Sequence, residues 1–299
     1  MEVEPTIEDC KREIERIVSF LDKHLSPPTR AVVAVSGGVD SDLTARLVVA
    51  AIGSKRTKLF TVVQQNMELR HLNNARQLAD DLDVPLVELH LADLPLQFIH
   101  QMMKDDPIED FRPTGLLDPA RAKCSMRTVV LSTYQDRGYV VVGSSNRTEV
   151  MTGFFLPFGD ALCHLAPIIH LYKSQVRALA AASGTQPNVL NQPASAGFWE
   201  GQNDLEDLSW WLYCRRPIGP ERSFDEKDES KVEEIRAILT TRALDLALVA
   251  IDEGYENSSV AQISGLPGDV TSRLRSLYEA AFENKRRPLG IGLEPTNAS

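Results

Sequence analysis

Residues 31–41 read Ala-Val-Val-Ala-Val-Ser-Gly-Gly-Val-Asp-Ser, and this stretch decides the fold. Its first half, Ala31–Val35, is an apolar run typical of a buried strand, and apolar residues recur at helical spacing from Leu43 to Ala51. Glycines at such a junction let the backbone approach an anion closely, while the N–H groups and the dipole of the helix attract negative charge. The stretch therefore predicts a strand, a phosphate-binding loop and a helix in succession.

Strand and helix patterns alternate along the first half of the chain. This alternation predicts an α/β fold with a doubly wound, mostly parallel sheet and helices on both faces. In such sheets ligands bind at the carboxyl ends of the strands, where Ser36, Gln64 and Gly143 are expected. We expect residues 1–299 to form a single domain with an N-terminal helix and a C-terminal substrate loop. The expected segments are helices at Ile7–Leu25, Asn73–Leu82 and Arg127–Asp136, and strands at Lys58–Val63, Pro85–Leu91 and Tyr139–Gly143.

Two stretches, Asp105–Ala122 and Gln192–Asp207, are rich in proline, glycine and charge. Both are long for connections inside a compact domain, and long loops are usually functional. We therefore expect both stretches to be mobile loops at the active site.

The bulk composition limits the partners of the chain. With a formal net charge of -10 over 299 residues, the chain lacks the basic surface that sequence-independent nucleic-acid binding needs. The 4 cysteines are widely spaced, which indicates neither a zinc site nor a disulfide framework and fits a reducing compartment. No apolar run reaches the length of a membrane span, and no signal peptide is recognisable. These features predict a cytoplasmic protein with no nucleic-acid or membrane partner.

The loop at residues 36–41 differs from two common nucleotide-binding patterns. It has neither the lysine of Gly-x-x-x-x-Gly-Lys-Ser/Thr nor the spacing of Gly-x-Gly-x-x-Gly. A Ser-Gly-Gly-x-Asp-Ser run instead resembles the loop of ATP-pyrophosphatases, which split ATP into AMP and pyrophosphate. Further ordered motifs make the chain resemble, over nearly its whole length, the synthetase domain of the NAD synthetase family. These motifs are Gly143–Glu149, Gly153–Phe155, Phe158–Asp160, Leu171–Arg177, Ser195–Gln202 and Lys285–Pro288.

The resemblance implies a two-step reaction. In this family the carboxylate of nicotinic acid adenine dinucleotide attacks the α-phosphate of ATP, which gives an acyl adenylate and pyrophosphate; ammonia then displaces AMP and leaves an amide. ATP is the co-substrate, and Mg²⁺ is the expected cofactor. Glutamine-dependent members carry a large extra domain for which 299 residues leave no room, so we expect free ammonia or a separate glutaminase to supply the nitrogen. The family also implies a homodimer.

The resemblance also assigns site residues. Asp40, Glu149 and Asp160 match acidic positions at the magnesium-pyrophosphate site, where hard oxygen ligands suit Mg²⁺. Lys173 and Ser195 match a lysine and a hydroxyl that hold phosphates, and together with Asp40 they are the expected catalytic residues. Taken singly, Glu149 is equally placed to cap a helix, and Lys173 to be a surface lysine. The expected ATP-binding set is Ser36, Gly37, Gly38, Asp40, Ser41, Gln64, Ser144, Lys173 and Ser195.

Departures from the family pattern fall on the side of the acid substrate. His164 stands where the family has an aspartate that contacts the dinucleotide, and Lys123–Arg127 keeps only the final arginine of a second substrate motif. The segments Gln202–Ser209 and Asn284–Arg286 also differ. A histidine donates hydrogen bonds and titrates near neutrality, whereas a carboxylate only accepts. The expected acid-substrate pocket contains Arg127, His164, Lys285 and Arg286.

Three functions stay open on the sequence alone. The first is an ammonia-dependent NAD synthetase. The second is an amide-forming ligase of the same mechanism that acts on another carboxylic acid, because the same fold can host a different substrate. The third is a nucleotide-binding subunit without turnover, and the retained metal carboxylates and Lys173 argue against it.

Overall fold

The structure is a computed structural model and describes residues 3–64, 67–114, 117–154, 159, 162–195, 201–215 and 226–284. Its sheet has four strands: β1 (Arg30–Ala34), β2 (Thr57–Gln64), β3 (Leu86–Ala92) and β4 (Tyr139–Val142). The strands lie in the order β3-β2-β1-β4, and each neighbouring pair is parallel. This arrangement confirms the predicted parallel sheet.

The described part of the chain contains thirteen α-helices and a short 3-10 turn at Ser54–Arg56. The helices are α1 (Ile7–His24), α2 (Val39–Ile52), α3 (Leu69–Asp81), α4 (Leu94–Asp105), α5 (Leu117–Gln135), α6 (Arg147–Thr152), α7 (Lys173–Ala182), α8 (Pro187–Leu190), α9 (Asp204–Cys214), α10 (Glu226–Ile238), α11 (Thr241–Asp252), α12 (Asn257–Ser264) and α13 (Gly268–Asn284).

Helices cover both faces of the sheet, because successive side chains of a strand point to opposite sides. Ala31 and Val33 of β1 pack into a core with α1, α2, α3 and α7, whereas Val32 packs with Phe60 against α5. Strand β1 is apolar throughout its buried length because it contacts helices on both sides. The fold is therefore doubly wound, as predicted.

The strand order reverses between β1 and β4. From β1 the chain runs outward to β2 and β3, and then returns to place β4 on the other side of β1. A crevice opens at such a reversal, beyond the carboxyl ends of the two strands. The phosphate loop after β1 and Gly143–Ser144 after β4 therefore face each other across this crevice.

A second core of apolar side chains lies among helices α6, α9, α10, α11, α12 and α13. It is built from residues such as Met151, Leu212, Leu248 and Leu277, all of them buried. Helix α11 also contacts α6 and α7, so this helical region reaches the elements beside the crevice. The single-domain prediction for residues 1–299 stays a prediction.

Part of each predicted loop is helical. Helix α5 begins at Leu117, ten residues before the expected start at Arg127, and α9 begins at Asp204. Pro119 lies in the first turn of α5, where proline is tolerated because the N–H that it lacks has no intrahelical partner. Proline content alone therefore overstated the length of the first loop.

Candidate active site

The phosphate loop is held in one conformation by contacts from distant residues. Gly37 has φ +79°, and a Cβ atom at this position would lie 2.0 Å from the backbone oxygen of His71. The side-chain amides of Asn74 and Gln192 donate to the Gly37 carbonyl oxygen at 3.1 and 2.9 Å. The left-handed backbone and the contact with His71 both require glycine at position 37.

Inside the loop, the Ser41 hydroxyl accepts from the Ser36 N–H at 3.1 Å and donates to the Gly38 carbonyl oxygen at 3.0 Å. Gly38 is the N-cap residue of α2 and supplies no side-chain cap. The N-terminus of α2, with its unsatisfied N–H groups, therefore lies directly at the loop, which is the arrangement that binds phosphate.

A buried charged cluster lies beside the loop and joins residues far apart in sequence. The Lys173 ammonium contacts Asp40 Oδ2 and lies 3.8 Å from Glu149 Oε1. The Asn146 side-chain amide donates to Asp40 Oδ1 at 2.8 Å and to Glu149 Oε1 at 2.7 Å. Lys173 is only 8% exposed, so it is not the surface lysine that the sequence left open.

The charges of this cluster are strongly coupled. Burial opposes the charge on Lys173, but Asp40 and Glu149 outweigh burial and raise the pKa of the ammonium above its usual range. Burial and the neighbouring negative charge of Asp40 raise the pKa of Glu149 well above that of an ordinary carboxyl group. The cluster therefore holds a charged lysine next to two carboxyl groups, and burial favours the neutral form of Glu149.

Glu149 also has a structural role. Asn146 is the N-cap of α6, where its side chain accepts from the Glu149 N–H at 3.0 Å while Glu149 Oε2 accepts from the Asn146 N–H at 3.2 Å. This reciprocal pair is a capping box. The capping role considered for Glu149 is thus present, and the same carboxyl group keeps its other oxygen beside Lys173.

A cleft opens beyond the carboxyl ends of β1, β2 and β4 and encloses about 960 Å³, part of it open to solvent. Four of the predicted ATP-binding residues line it together with Arg127 from the predicted acid-substrate pocket. Apolar side chains of β2 and α5 complete one wall. The predicted polar residues that line the cleft are Ser36, Ser41, Ser144, Ser195 and Arg127.

His164 occupies a different position. Its Nδ1 atom accepts from the Val141 N–H at 3.0 Å, and the backbone N–H of His164 donates to the Val141 carbonyl oxygen at 2.9 Å. The side chain is exposed at the β4 edge, and His164 is absent from the residues that line the 960 Å³ cleft. Its predicted substrate role stays a prediction, as does that of Gln64, which ends β2. Asp160, Lys285 and Arg286 lie outside the described residues.

Sequence reasoning missed several residues that shape the site. His71 lines the cleft, and Asn74 fixes Gly37 from the same face of α3. Both lie at helical spacing with the buried residues Ala75 and Leu78, so two polar side chains on an apolar face were a usable signal. Because buried polar groups need hydrogen-bond partners, a polar residue on an apolar helix face indicates a specific contact.

Comparison with known proteins identifies the family. A family model described as NAD synthase matches residues 13–212, which is two-thirds of the chain. The chain belongs to the NAD synthase family. An NH(3)-dependent NAD(+) synthetase of Pyrococcus horikoshii is 26% identical over 289 residues, which cover 96% of each chain. An NH(3)-dependent NAD(+) synthetase of Aeropyrum pernix is 33% identical over 199 residues, covering 65% of this chain and 68% of the relative.

Solved structures share the fold. NMN synthetase of Francisella tularensis has a TM-score of 0.70 and 20% identity, with 94% of this chain and 98% of that chain covered. An NH3-dependent NAD synthetase of Campylobacter jejuni, in complex with the nitrate ion, has a TM-score of 0.65 and 19% identity, with 96% and 100% covered. Membership of the NAD synthase family confirms the predicted enzyme class, an ATP-dependent ligase with ATP as co-substrate.

Two absences are found among the described residues. No three histidine, cysteine, aspartate or glutamate side chains there are grouped to hold a metal ion, and Asp160 falls outside that search. Across the same residues, each helix is too short or too polar to cross a bilayer.

Proposed function

We propose that this chain is an ammonia-dependent NAD synthetase that converts nicotinic acid adenine dinucleotide to NAD with release of AMP and pyrophosphate. The observation that carries the proposal is the buried cluster of Lys173, Asp40 and Glu149 at the edge of the phosphate loop. A cation beside a phosphate loop suits a reaction in which negative charge develops on departing phosphate oxygens.

In the first step the substrate carboxylate attacks the α-phosphorus of ATP, and the bond to the bridging oxygen of the β-phosphate breaks. The N–H groups at the start of α2 and the hydroxyls of Ser36 and Ser41 hold the phosphates. The Lys173 ammonium, kept charged by Asp40, stabilises the leaving pyrophosphate, and Ser195 lines the cleft together with Ser36 and Ser41. Because these groups are in place before ATP binds, little reorganisation accompanies the reaction.

Mg²⁺ fits the donor set that the cluster presents. Asp40 and Glu149 offer carboxylate oxygens, the hard ligands that Mg²⁺ prefers, and both carboxyl groups lie beside the Lys173 ammonium. Asp40 and Glu149, together with Asp160, would hold the ion. When bound, Mg²⁺ supplies charge neutralisation for the pyrophosphate leaving group.

In the second step ammonia attacks the acyl carbon of the adenylate, AMP leaves, and an amide forms. The proposal assigns Arg127 to the acid-substrate side, because this residue lines the cleft and a guanidinium suits an anionic dinucleotide. Lys285, Arg286 and His164 complete the proposed acid-substrate set. A cytoplasmic location and free ammonia, or ammonia from a separate glutaminase, are parts of the same proposal.

A homodimer is also proposed. Helices α4 and α5 contact each other and expose apolar side chains, among them Phe98 at 47% and Val129 at 58% exposure. Apolar residues at such exposure on neighbouring helices are consistent with a covered surface. Sedimentation equilibrium of the purified chain tests this part by itself.

Product analysis tests the reaction. The purified chain is incubated with ATP, Mg²⁺, ammonium and nicotinic acid adenine dinucleotide, and nucleotides are separated by chromatography. We expect AMP, pyrophosphate and NAD in equal amounts, with a kcat/KM of at least about 10⁴ M⁻¹s⁻¹. Accumulation of ADP and phosphate contradicts the assignment of the loop.

Isotope exchange between ATP and pyrophosphate, without ammonia, tests the substrate. The dinucleotide should support the exchange, and the chain with ATP alone is the control. Exchange with another carboxylic acid but none with the dinucleotide would establish an amide ligase of different specificity.

A further inference from the structure

The N-terminus of α7, which carries Lys173, is capped by residues of two other helices. Its N-cap residue, Tyr172, makes no side-chain cap. Instead the Thr148 hydroxyl oxygen of α6 accepts from the Lys173 N–H at 2.9 Å, and Asp245 Oδ2 of α11 accepts from the Ser174 N–H at 2.7 Å. The first N–H groups of a helix have no intrahelical partner, so these two contacts satisfy donors that burial would otherwise leave unpaired.

The two capping groups are joined to each other. The Thr148 hydroxyl donates to Asp245 Oδ1 at 2.6 Å. An ionised carboxylate can only accept, so the Thr148 hydroxyl donates its proton to Asp245. The Thr148 oxygen in turn accepts from the Lys173 N–H, which fixes the donor and the acceptor in each of these hydrogen bonds. Asp245 is 0% exposed and Thr148 is 8% exposed, which shields the network from competing water.

The network reaches both charged residues of the site through the backbone. Thr148 directly precedes Glu149 in the first turn of α6, and Ser174 directly follows Lys173 in the first turn of α7. One carboxyl group on α11 thus determines the spacing between the two helix ends that carry the cluster. Its negative charge also complements the dipoles of both helix N-termini.

We propose that Asp245 is a positioning residue for the Lys173 and Glu149 side chains, an inference that rests on the proposed function of the cluster. Asp245 contacts neither the phosphate loop nor the cleft residues, and it acts through Thr148 and the backbone of α7. The helical region around α11 therefore positions the cluster in addition to packing against α6 and α7.

A matched control lies on the same helix. Asp252 of α11 also binds α6, since its carboxylate accepts from Arg147 at 2.8 Å, and it accepts from the Tyr278 hydroxyl at 3.0 Å. It touches neither Thr148 nor the start of α7. Its partner Arg147 also bonds the Tyr172 side chain, but Asp252→Asn leaves in place the hydrogen bonds that Thr148 and Asp245 accept from the first N–H groups of α7.

The test is a double-mutant cycle between Asp245→Asn and Lys173→Gln, with melting temperatures measured for each variant. Two readouts are used: ATP affinity by calorimetry, which needs no acid substrate, and ATP-pyrophosphate exchange with nicotinic acid adenine dinucleotide. We expect Asp245→Asn to lower the exchange kcat by about 5- to 100-fold in the wild-type background and ATP affinity by several-fold. In the Lys173→Gln background we expect Asp245→Asn to lower the exchange kcat and the ATP affinity by about 2-fold or less. The effects of two substitutions are not additive when one residue acts through the other.

The proposal is overturned if Asp245→Asn causes the same fold-loss in the wild-type and the Lys173→Gln backgrounds. It is also overturned if Asp252→Asn lowers kcat as much as Asp245→Asn does. If Asp245→Asn does not fold, Thr148→Ser and Thr148→Val replace it. Serine keeps the hydroxyl and should retain activity within about 3-fold, whereas valine should lose it as Asp245→Asn would. Equal activity of the two Thr148 variants overturns the positioning role.

The two readouts separate this proposal from the proposed function. A wild-type chain that binds ATP but shows no exchange with the dinucleotide contradicts the proposed substrate. Even in that case, non-additive effects of Asp245→Asn and Lys173→Gln on ATP affinity support the positioning role. Additive effects on ATP affinity overturn the positioning role, whichever acid is the substrate.

Discussion

The ATP side and the acid-substrate side of the predicted site differ in what their polar residues bind. On the ATP side, which comprises Ser36–Ser41, Asn146, Glu149 and Lys173, the polar side chains bind one another, and Asn146 and Lys173 are buried. On the acid side, taken as Lys123–Arg127, His164 and Gln202–Ser209, Arg127 lines the cleft, whereas His164 lies outside it and binds a strand backbone at the surface. Phosphate chemistry needs charges in place before the reaction, whereas a substrate pocket tolerates exchange of its residues.

The largest expected effect is on ATP-pyrophosphate exchange, and it distinguishes Lys173 on the ATP side from Lys123 on the acid side. Asp40 and Glu149 raise the pKa of Lys173 despite its burial, whereas burial and Arg127 lower the pKa of Lys123. Lys173→Gln should reduce ATP-pyrophosphate exchange by at least about 100-fold, because it removes a buried charge that stabilises the leaving group.

Lys123→Gln is the matched variant and should leave ATP affinity unchanged within about 2-fold. Calorimetric titration with ATP and exchange kinetics measure both variants. Equal losses of ATP affinity would show that the two sides are not distinct.

The next effect tests the rigidity of the phosphate loop. Gly37→Ala places a methyl group against the His71 carbonyl, so we expect the loop to move and ATP affinity to fall by about 10-fold or more. Gly53 has a similar φ of +78° but open space around it. Gly53→Ala should therefore cost about 1–2 kcal/mol in unfolding free energy and leave ATP binding intact.

Denaturant unfolding and ATP titration of both glycine variants make this comparison. An unaltered ATP affinity in Gly37→Ala would mean that the contact with His71 does not hold the loop in its binding conformation.

On the acid side, Arg127 is the charged residue whose effect should be selective. Arg127→Ala should raise the KM for the dinucleotide by about 10-fold while the KM for ATP stays the same, because the lost cation faces the acid substrate. Arg127→Lys keeps the charge and should recover part of the loss. Initial rates with each substrate varied in turn distinguish this outcome from a rise in the KM for ATP.

A pH-dependent effect is expected at Asp207 on α9. Burial, with the negative charges of Asp204 and Glu206, raises the pKa of Asp207 from 3.8 to about 7, although Gln202 donates to its carboxylate at 2.8 Å. Between these two pH values the native state holds a proton that the unfolded chain has lost, so the stabilisation present below pH 3.8 disappears as the pH rises through 7.

Asp207→Asn should remove this dependence. Relative to the wild type, its melting temperature should gain about 3–6 °C between pH 4 and pH 8. Thermal unfolding monitored by circular dichroism at several pH values measures the difference. Parallel pH profiles for the two proteins would place the titration elsewhere.

The smallest expected effect is at His164. Because its imidazole binds the Val141 N–H at the β4 edge, His164→Asp should change the kcat/KM for the dinucleotide by less than about 3-fold, since a carboxylate also accepts. His164→Phe loses the acceptor and should cost about 1 kcal/mol in unfolding free energy. A larger change in specificity with aspartate would show that the substrate depends on the imidazole itself and not only on an acceptor at this position.

The sequence by itself determined the elements whose signal is local. The apolar run before Ser36, the glycines of the loop and the helical pattern after Ser41 predict β1, the phosphate loop and α2, because strand burial, turn conformation and helix periodicity each act over a few neighbouring residues. The motif around Lys173 was found only through its resemblance to a family.

Only the tertiary structure decided which polar side chains meet. Asn146 binds Asp40 across 106 positions, and Asp245 binds Thr148 across 97. His164 accepts a hydrogen bond from the backbone of β4, a contact that its sequence position does not indicate. Such contacts depend on how helices pack across the end of a sheet, and burial then requires each polar group to find a partner, wherever in the chain that partner lies.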